Sequence, residues 1–250
     1  MQTARPDRQL DFLRLGLLKQ NWDSHLKQAT AKKISYSEFL TRIIDEEYAS
    51  RTELARLSRV RRANVPEKLV MSTFPFERQP KLKRRLILEI YESRRYISTP
   101  EYLVFLGPTG CGKTGLATAF LLDAIDNGNR GFFISFQDML RRLTEAVAIR
   151  ADRRALRFFT SWDVLLIDEF GYAPIDKEIA GLFFEIIKAR HQKHPTLITS
   201  QLGFAEWGGF IQDSHLCSAI LNRVTENCCL FDMTKCLSLR SKRVTHAASA

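Results

Sequence analysis

Apolar positions change rhythm along this chain of 250 residues. Across residues 10–28 they recur at helical spacing, with Leu10, Leu13, Leu17 and Leu18 on one side. The next stretch, "ISYSEFLTRIIDEEYASRTELARL", opens with Ser35 three residues before Glu38, the spacing of a capping box. Phe39, Leu40, Ile43, Ile44 and Tyr48 then repeat at the helical period, which predicts a helix reaching about Arg62. Residues 1–66 are therefore expected to form a small all-helical domain. The segment 64–100 holds four prolines. It reads as a linker followed by a helix over 81–95, so that 67–100 leads into the next domain.

After Pro100 the pattern alternates between short apolar runs and helical periods. The runs are "YLVFLG" (102–107), "GFFISF" (131–136), "WDVLLIDE" (162–169), "PTLITS" (195–200) and "NCCLFDM" (227–233). Between them lie helical stretches at 113–127, 138–150 and 176–191. The runs are continuously apolar rather than alternating, as expected for a parallel sheet covered on both faces. The fold class is α/β, with five strands in 101–250. No internal repeat or low-complexity tract interrupts it.

Charge changes the picture. The net charge is +10. Residues 1–95 hold 21 Lys and Arg against 12 Asp and Glu, whereas residues 96–250 hold 17 against 16. Such asymmetry fits a polyanion partner, most simply nucleic acid, or equally solubility or an acidic protein. No apolar stretch has the length of a membrane span. The N-terminus carries Arg5, Asp7, Arg8, Asp11 and Arg14 and does not resemble a signal peptide. A cytoplasmic protein with reduced thiols is expected, the five cysteines being Cys111, Cys217, Cys228, Cys229 and Cys236. The last four contain no C-x-x-C pair, which argues against zinc, and Cys228 and Cys229 are expected in a buried strand.

Residues 107–114, "GPTGCGKT", match G-x-x-x-x-G-K-[ST] between a strand and a helix. Gly107, Pro108, Thr109, Gly110, Cys111, Gly112, Lys113, Thr114 and Gly115 are the candidate ATP-binding loop. Its amides and the following helix N-terminus suit phosphate, Lys113 the β- and γ-phosphates, and Thr114 Mg²⁺. A second apolar strand ends in Asp168 and Glu169, at the sheet edge where α/β folds bind ligands. Asp168 suits the Mg²⁺ and Glu169 the polarisation of an attacking water, which favours hydrolysis over phosphoryl transfer. Gln201, after "LITS", is placed to touch the γ-phosphate or to be an ordinary strand-end amide. Trp162 and Trp207 read as packing residues, and none of the five histidines falls in a catalytic or metal-ligand pattern.

Over roughly residues 10–243 the chain resembles the IstB family, the ATP-binding transposition helpers of IS21-type elements. The resemblance rests on "ISYSEFL", "FLGPTGCGKTGLA", "DVLLIDEFGYAPID", "LITSQLGFAEWG", "AILNRV" and "SLR". It implies an AAA+ P-loop three-layer sandwich similar to DnaC and DnaA, preceded by a helical domain. It implies an ATPase that forms a homo-oligomer on duplex DNA and works with an IstA-like DDE transposase. By position, Gln201 stands at the sensor-1 Asn, and Asn222 replaces an Asp before Arg223. Arg223 resembles the arginine that enters a neighbour's ATP site, with Arg190 the competing candidate. Arg240 resembles the sensor-2 arginine, and the ten residues after it leave no room for a large helical lid. A DnaC-type helicase loader and a scaffold that binds ATP with little hydrolysis are the alternative functions.

Overall fold

The structure, a computed structural model, describes residues 5–32, 34–66 and 69–239. Packing divides it into two compact units, Met1–Ser58 and Arg59–Ala250.

The first unit holds α1 (Asp7–Phe12), α2 (Gly16–Lys32) and most of α3 (Tyr36–Arg62). The single helix expected over 10–28 is broken between α1 and α2. Arg14 there takes a left-handed φ of 56°, and the Arg51 side chain donates to the carbonyls of Leu13 and Arg14 freed by the break. Glu47 is buried on α3 and accepts from the Leu18 amide at 3.0 Å, in the first turn of α2. A carboxylate is favourable at that positive helix end. Ser35 Oγ accepts from the Glu38 amide at 3.2 Å and caps α3. Tyr36, Leu40, Ile44 and Tyr48, four residues apart, stay exposed.

Residues 59–100 pack as part of the second unit. Met71, Phe76, Leu82, Ile87 and Ile90 are buried, and α4 (Arg84–Ser93) and α5 (Arg95–Ser98) follow two short 3₁₀ turns. The strands are β1 (Tyr102–Leu106), β2 (Gly131–Ser135), β3 (Val164–Phe170), β4 (Thr196–Ser200) and β5 (Cys228–Asp232). They form one parallel sheet in the order β2-β3-β4-β1-β5. Five helices connect them, α6 (Lys113–Asp126), α7 (Phe136–Ala148), α8 (Asp152–Thr160), α9 (Lys177–Arg190) and α10 (Ser214–Glu226). Neither α8 nor α10 is among the helices expected from the apolar pattern.

Successive strand residues point to opposite faces, and each face has its own core. Leu103 and Phe105 join the cluster with Leu116 and Phe120 of α6. Tyr102, Val104 and Leu106 join the cluster with Phe136, Phe183 and Ile220 of α7, α9 and α10. The result is the expected three-layer sandwich. Trp207 is fully buried and Trp162 stacks on Phe132 at 4.9 Å, so both pack. Cys228 and Cys229 are only half-buried, because β5 is an edge strand. All five cysteines are free thiols. No helix among the described residues is long and apolar enough to cross a membrane.

In this strand order the chain leaves β1 towards β2 through α6 on one face. It leaves β4 towards β5 through α10 on the other. The loops after β1 and β4 therefore sit at the point where the connections diverge, the usual ligand crevice of an open parallel sheet.

Candidate nucleotide site

Residues 107–112 turn out of β1, and Lys113 begins α6. Gly112 adopts φ 100°, the left-handed region that side chains avoid. Gly107 is held by close approach, since a Cβ there would lie 2.6 Å from the Met233 carbonyl oxygen. Lys113 Nζ donates to the carbonyls of Gly107 and Pro108 at 2.7 and 2.9 Å, so its charge lies within the loop. Thr109 Oγ1 donates to Gln201 Oε1 at 2.9 Å. The glutamine amide is therefore bonded to the loop. Thr109, Gly110, Gly112, Lys113, Thr114, Gly115, Glu169, Thr199 and Gln201 line a cleft of about 170 Å³. Cys111 lies beneath it, fully buried.

A second layer holds the loop from below. Gln79 is buried, donates to the Cys111 and Leu237 carbonyls at 3.0 and 2.7 Å, and accepts from the Leu237 amide at 2.9 Å. The Leu239 amide donates to the Gly110 carbonyl at 2.8 Å. The segment before Arg240 is thus bonded to the phosphate loop, while Arg240 itself lies outside the described residues.

The carboxylates stand on a bend in β3. Ile167 pairs with Ile198 and Phe170 with Ser200, so Asp168 and Glu169 together face Thr199 alone. This is a β-bulge, which re-aims side chains that would otherwise alternate across the sheet. Glu169 sits at φ 56°, a conformation that costs a non-glycine residue about 1–3 kcal/mol. Asp168 is buried, and its Oδ1 accepts from Thr114 Oγ1 at 2.9 Å and from Thr199 Oγ1 at 2.5 Å. Glu169 is exposed to the cleft. The adjacent hydroxyl and carboxylate of Thr114 and Asp168 are hard oxygen donors. They would suit a Mg²⁺ ion, with phosphate and water as its further ligands.

The two candidate trans arginines differ sharply. Arg190 is 0% exposed and donates to Thr196 Oγ1 and to the carbonyls of Phe159, Trp162 and Pro195 at 2.7–3.0 Å. Burial lowers its pKa to about 10. It closes gaps between α8, α9 and β4, and that overturns it as a candidate for reaching a neighbouring subunit. Arg223, on α10, bonds the Ala219 carbonyl at 2.9 Å and lies over the Phe184 ring at 4.8 Å. It has no carboxylate partner among the described residues. It stands in the last turn of α10, five residues before Cys228, which pairs with Tyr102 at the start of β1. A five-residue strand of roughly 3.3 Å per residue separates that end of the sheet from the loop.

Two features escaped the sequence. Thr199 precedes the strand-end amide that drew attention, and only the bulge reveals its contacts. The second is a basic cluster. Arg141, Arg142, Arg150, Arg153, Arg154 and Arg157 are all exposed on α7, α8 and their junction. Averaging charge over 96–250 conceals it, although "IRADRRALR" carries the signal.

A parallel sheet in this order, with a phosphate loop after β1 and paired carboxylates at the end of β3, defines a P-loop nucleotide-binding protein with an AAA+-like fold. The chain belongs to the IstB-like ATP binding protein family, whose pattern matches residues 8–247. It is 32% identical over 233 residues to an ATP-binding protein of insertion sequence IS5376 from Geobacillus stearothermophilus, covering 93% of this chain and 92% of that one. Among solved structures it resembles AMPPCP-bound DnaA from Aquifex aeolicus, with a TM-score of 0.56, 17% identity, and 68% and 52% of the two chains covered. It also resembles the DnaC helicase loader, with a TM-score of 0.50, 24% identity, and 60% and 88% covered. The protein is thus an ATP-binding helper of the IS21 type, related in fold to DnaC.

Proposed function

We propose that the protein is a DNA-linked ATPase that assembles as an oligomer on duplex DNA and assists an IstA-like DDE transposase, with hydrolysis controlling disassembly. The observation that carries the catalytic part is the bulge that brings the Glu169 carboxylate into the cleft with Lys113, Thr114 and Gln201. Loop amides and Lys113 bind the β- and γ-phosphates and offset their charge. Thr114 and Asp168 would hold Mg²⁺, which would offset negative charge on the phosphates. Glu169 accepts a proton from water as the water oxygen bonds to the γ-phosphorus and the bridging oxygen leaves with ADP. Gln201 and Arg240 orient the γ-phosphate. Arg223 offsets charge in the neighbour's site, an effect of about 10³–10⁵ in rate in other NTPases.

The arginines of α7 and α8 support DNA as partner, because an exposed cationic surface, in which Arg141 is paired with Asp138, suits phosphates regardless of sequence. The exposed Tyr36, Leu40, Ile44 and Tyr48 support a protein partner for the helical unit. A helicase-loader role has the weaker support. The relative matched over nearly its full length comes from an insertion sequence, and the likeness to DnaC extends to fold alone.

Lys113→Ala tests the proposal. With ATP and duplex DNA, electron microscopy should show assemblies for the wild type and none for the variant. Equal assembly by both would overturn the ATP-dependent reading.

A further inference from the structure

We propose that Thr199 is a positioning residue for hydrolysis, its one hydroxyl setting both the Asp168 carboxylate and the backbone bend that presents Glu169. The inference rests on the reading of Glu169 as the proton acceptor.

The bulge creates a hydrogen-bonding problem. Two residues of β3 face one of β4, so the regular ladder fails where Asp168 and Glu169 stand. The Glu169 amide donates to Thr199 Oγ1 at 3.0 Å. The same oxygen donates its proton to Asp168 Oδ1 at 2.5 Å. A hydroxyl has one proton to give, and here it goes to Asp168. Thr199 is 0% exposed and is therefore not itself a reacting group. On the other side of the bulge, Ser200 Oγ donates to the Phe170 carbonyl at 2.8 Å. Successive hydroxyls on β4 thus take over two ladder positions that the bulge disrupts.

The consequence is directional. The Glu169 side chain reaches the cleft only while residue 169 keeps its left-handed φ. The Thr199 hydroxyl bonds the amide of that residue. Through Asp168 Oδ1, which also accepts from Thr114 Oγ1 at 2.9 Å, the bend is tied to the first turn of α6. Thr199 therefore joins the residue that receives the proton to the pair that would hold the cation. Binding of phosphate by the loop does not depend on it.

Thr199→Val removes the hydroxyl and keeps the shape, and Thr199→Ser restores the hydroxyl. Steady-state phosphate release should show kcat falling about 10- to 100-fold in Thr199→Val with KM nearly unchanged, and recovering to within about threefold of wild type in Thr199→Ser. Affinity for a fluorescent ATP analogue should stay within about threefold in both variants. Hydrogen exchange at the Glu169 amide should quicken in Thr199→Val and be restored in Thr199→Ser. Wild-type kcat in Thr199→Val would overturn the proposal. So would parallel losses of affinity and kcat that serine does not rescue, the mark of a packing role alone. Glu169→Gln, measured alongside, separates the two readings. Full turnover there sinks Glu169 as proton acceptor, whereas an inactive Glu169→Gln beside a fully active Thr199→Val sinks only the role of Thr199.

Discussion

Arg190 and Arg223 are both arginines near helix C-termini, and sequence alone offered either for the same role. Burial separates them. Four donations, three of them to buried acceptors, make Arg190 a strut, whereas Arg223 lies on an aromatic ring with no acid to neutralise it among the described residues. Arg190→Met should therefore act on folding. Leaving those acceptors unpaired should cost about 2–4 kcal/mol, read as a lower urea midpoint with unchanged slope, while turnover per folded molecule stays the same. A stable Arg190→Met that has lost turnover would return Arg190 to the site. Nothing in "KARH" announces this burial, because two of the acceptors that receive the guanidinium, the Phe159 and Trp162 carbonyls, are distant in sequence. The phosphate loop is the opposite case. Its glycines, Lys113 and Thr114 were legible because phosphate binding fixes residue type and spacing locally.

At the scale of elements, the five strands were legible because both faces of a parallel sheet are covered, which makes each strand an apolar run. What stayed hidden is what tertiary packing decides. The break at Arg14 depends on Arg51 donating to the stray carbonyls, and the left-handed Glu169 depends on Thr199 across the sheet. Both residues look ordinary in the one-dimensional pattern. The helix α8 escaped because arginines crowd its polar side, and they carry a prediction of their own. Arg153 and Arg157 lie one turn apart on it, exposed and without a carboxylate partner among the described residues. If each meets a DNA phosphate, replacing either with alanine should reduce the slope of log affinity against log salt by about 0.9. Fluorescence anisotropy on duplexes of two unrelated sequences should show the same loss on both. An unchanged slope would remove α8 from the DNA-facing surface.

At the scale of the whole molecule, the separation of Arg223 from its own phosphate loop bears on assembly. A loop after β1 and an arginine acting near the other end of the sheet suit a site shared by successive subunits. Such contacts are head-to-tail, and they generate rings or open helical filaments rather than two-fold dimers. The arrangement can be tested by complementation. Glu169→Gln lacks the proton acceptor but keeps its phosphate loop and Arg223, and Arg223→Ala keeps Glu169 but lacks the arginine. Each alone should release phosphate only at background with ATP and duplex DNA. In an equal, randomly assembled mixture, an intact Glu169 meets an intact arginine at about one interface in four, so roughly a quarter of wild-type activity should return. The recovery should rise with protein concentration as mixed assemblies form. If the mixture stays as inactive as its parents while still assembling on DNA, Arg223 does not complete a neighbour's site, and the shared-site arrangement falls with it.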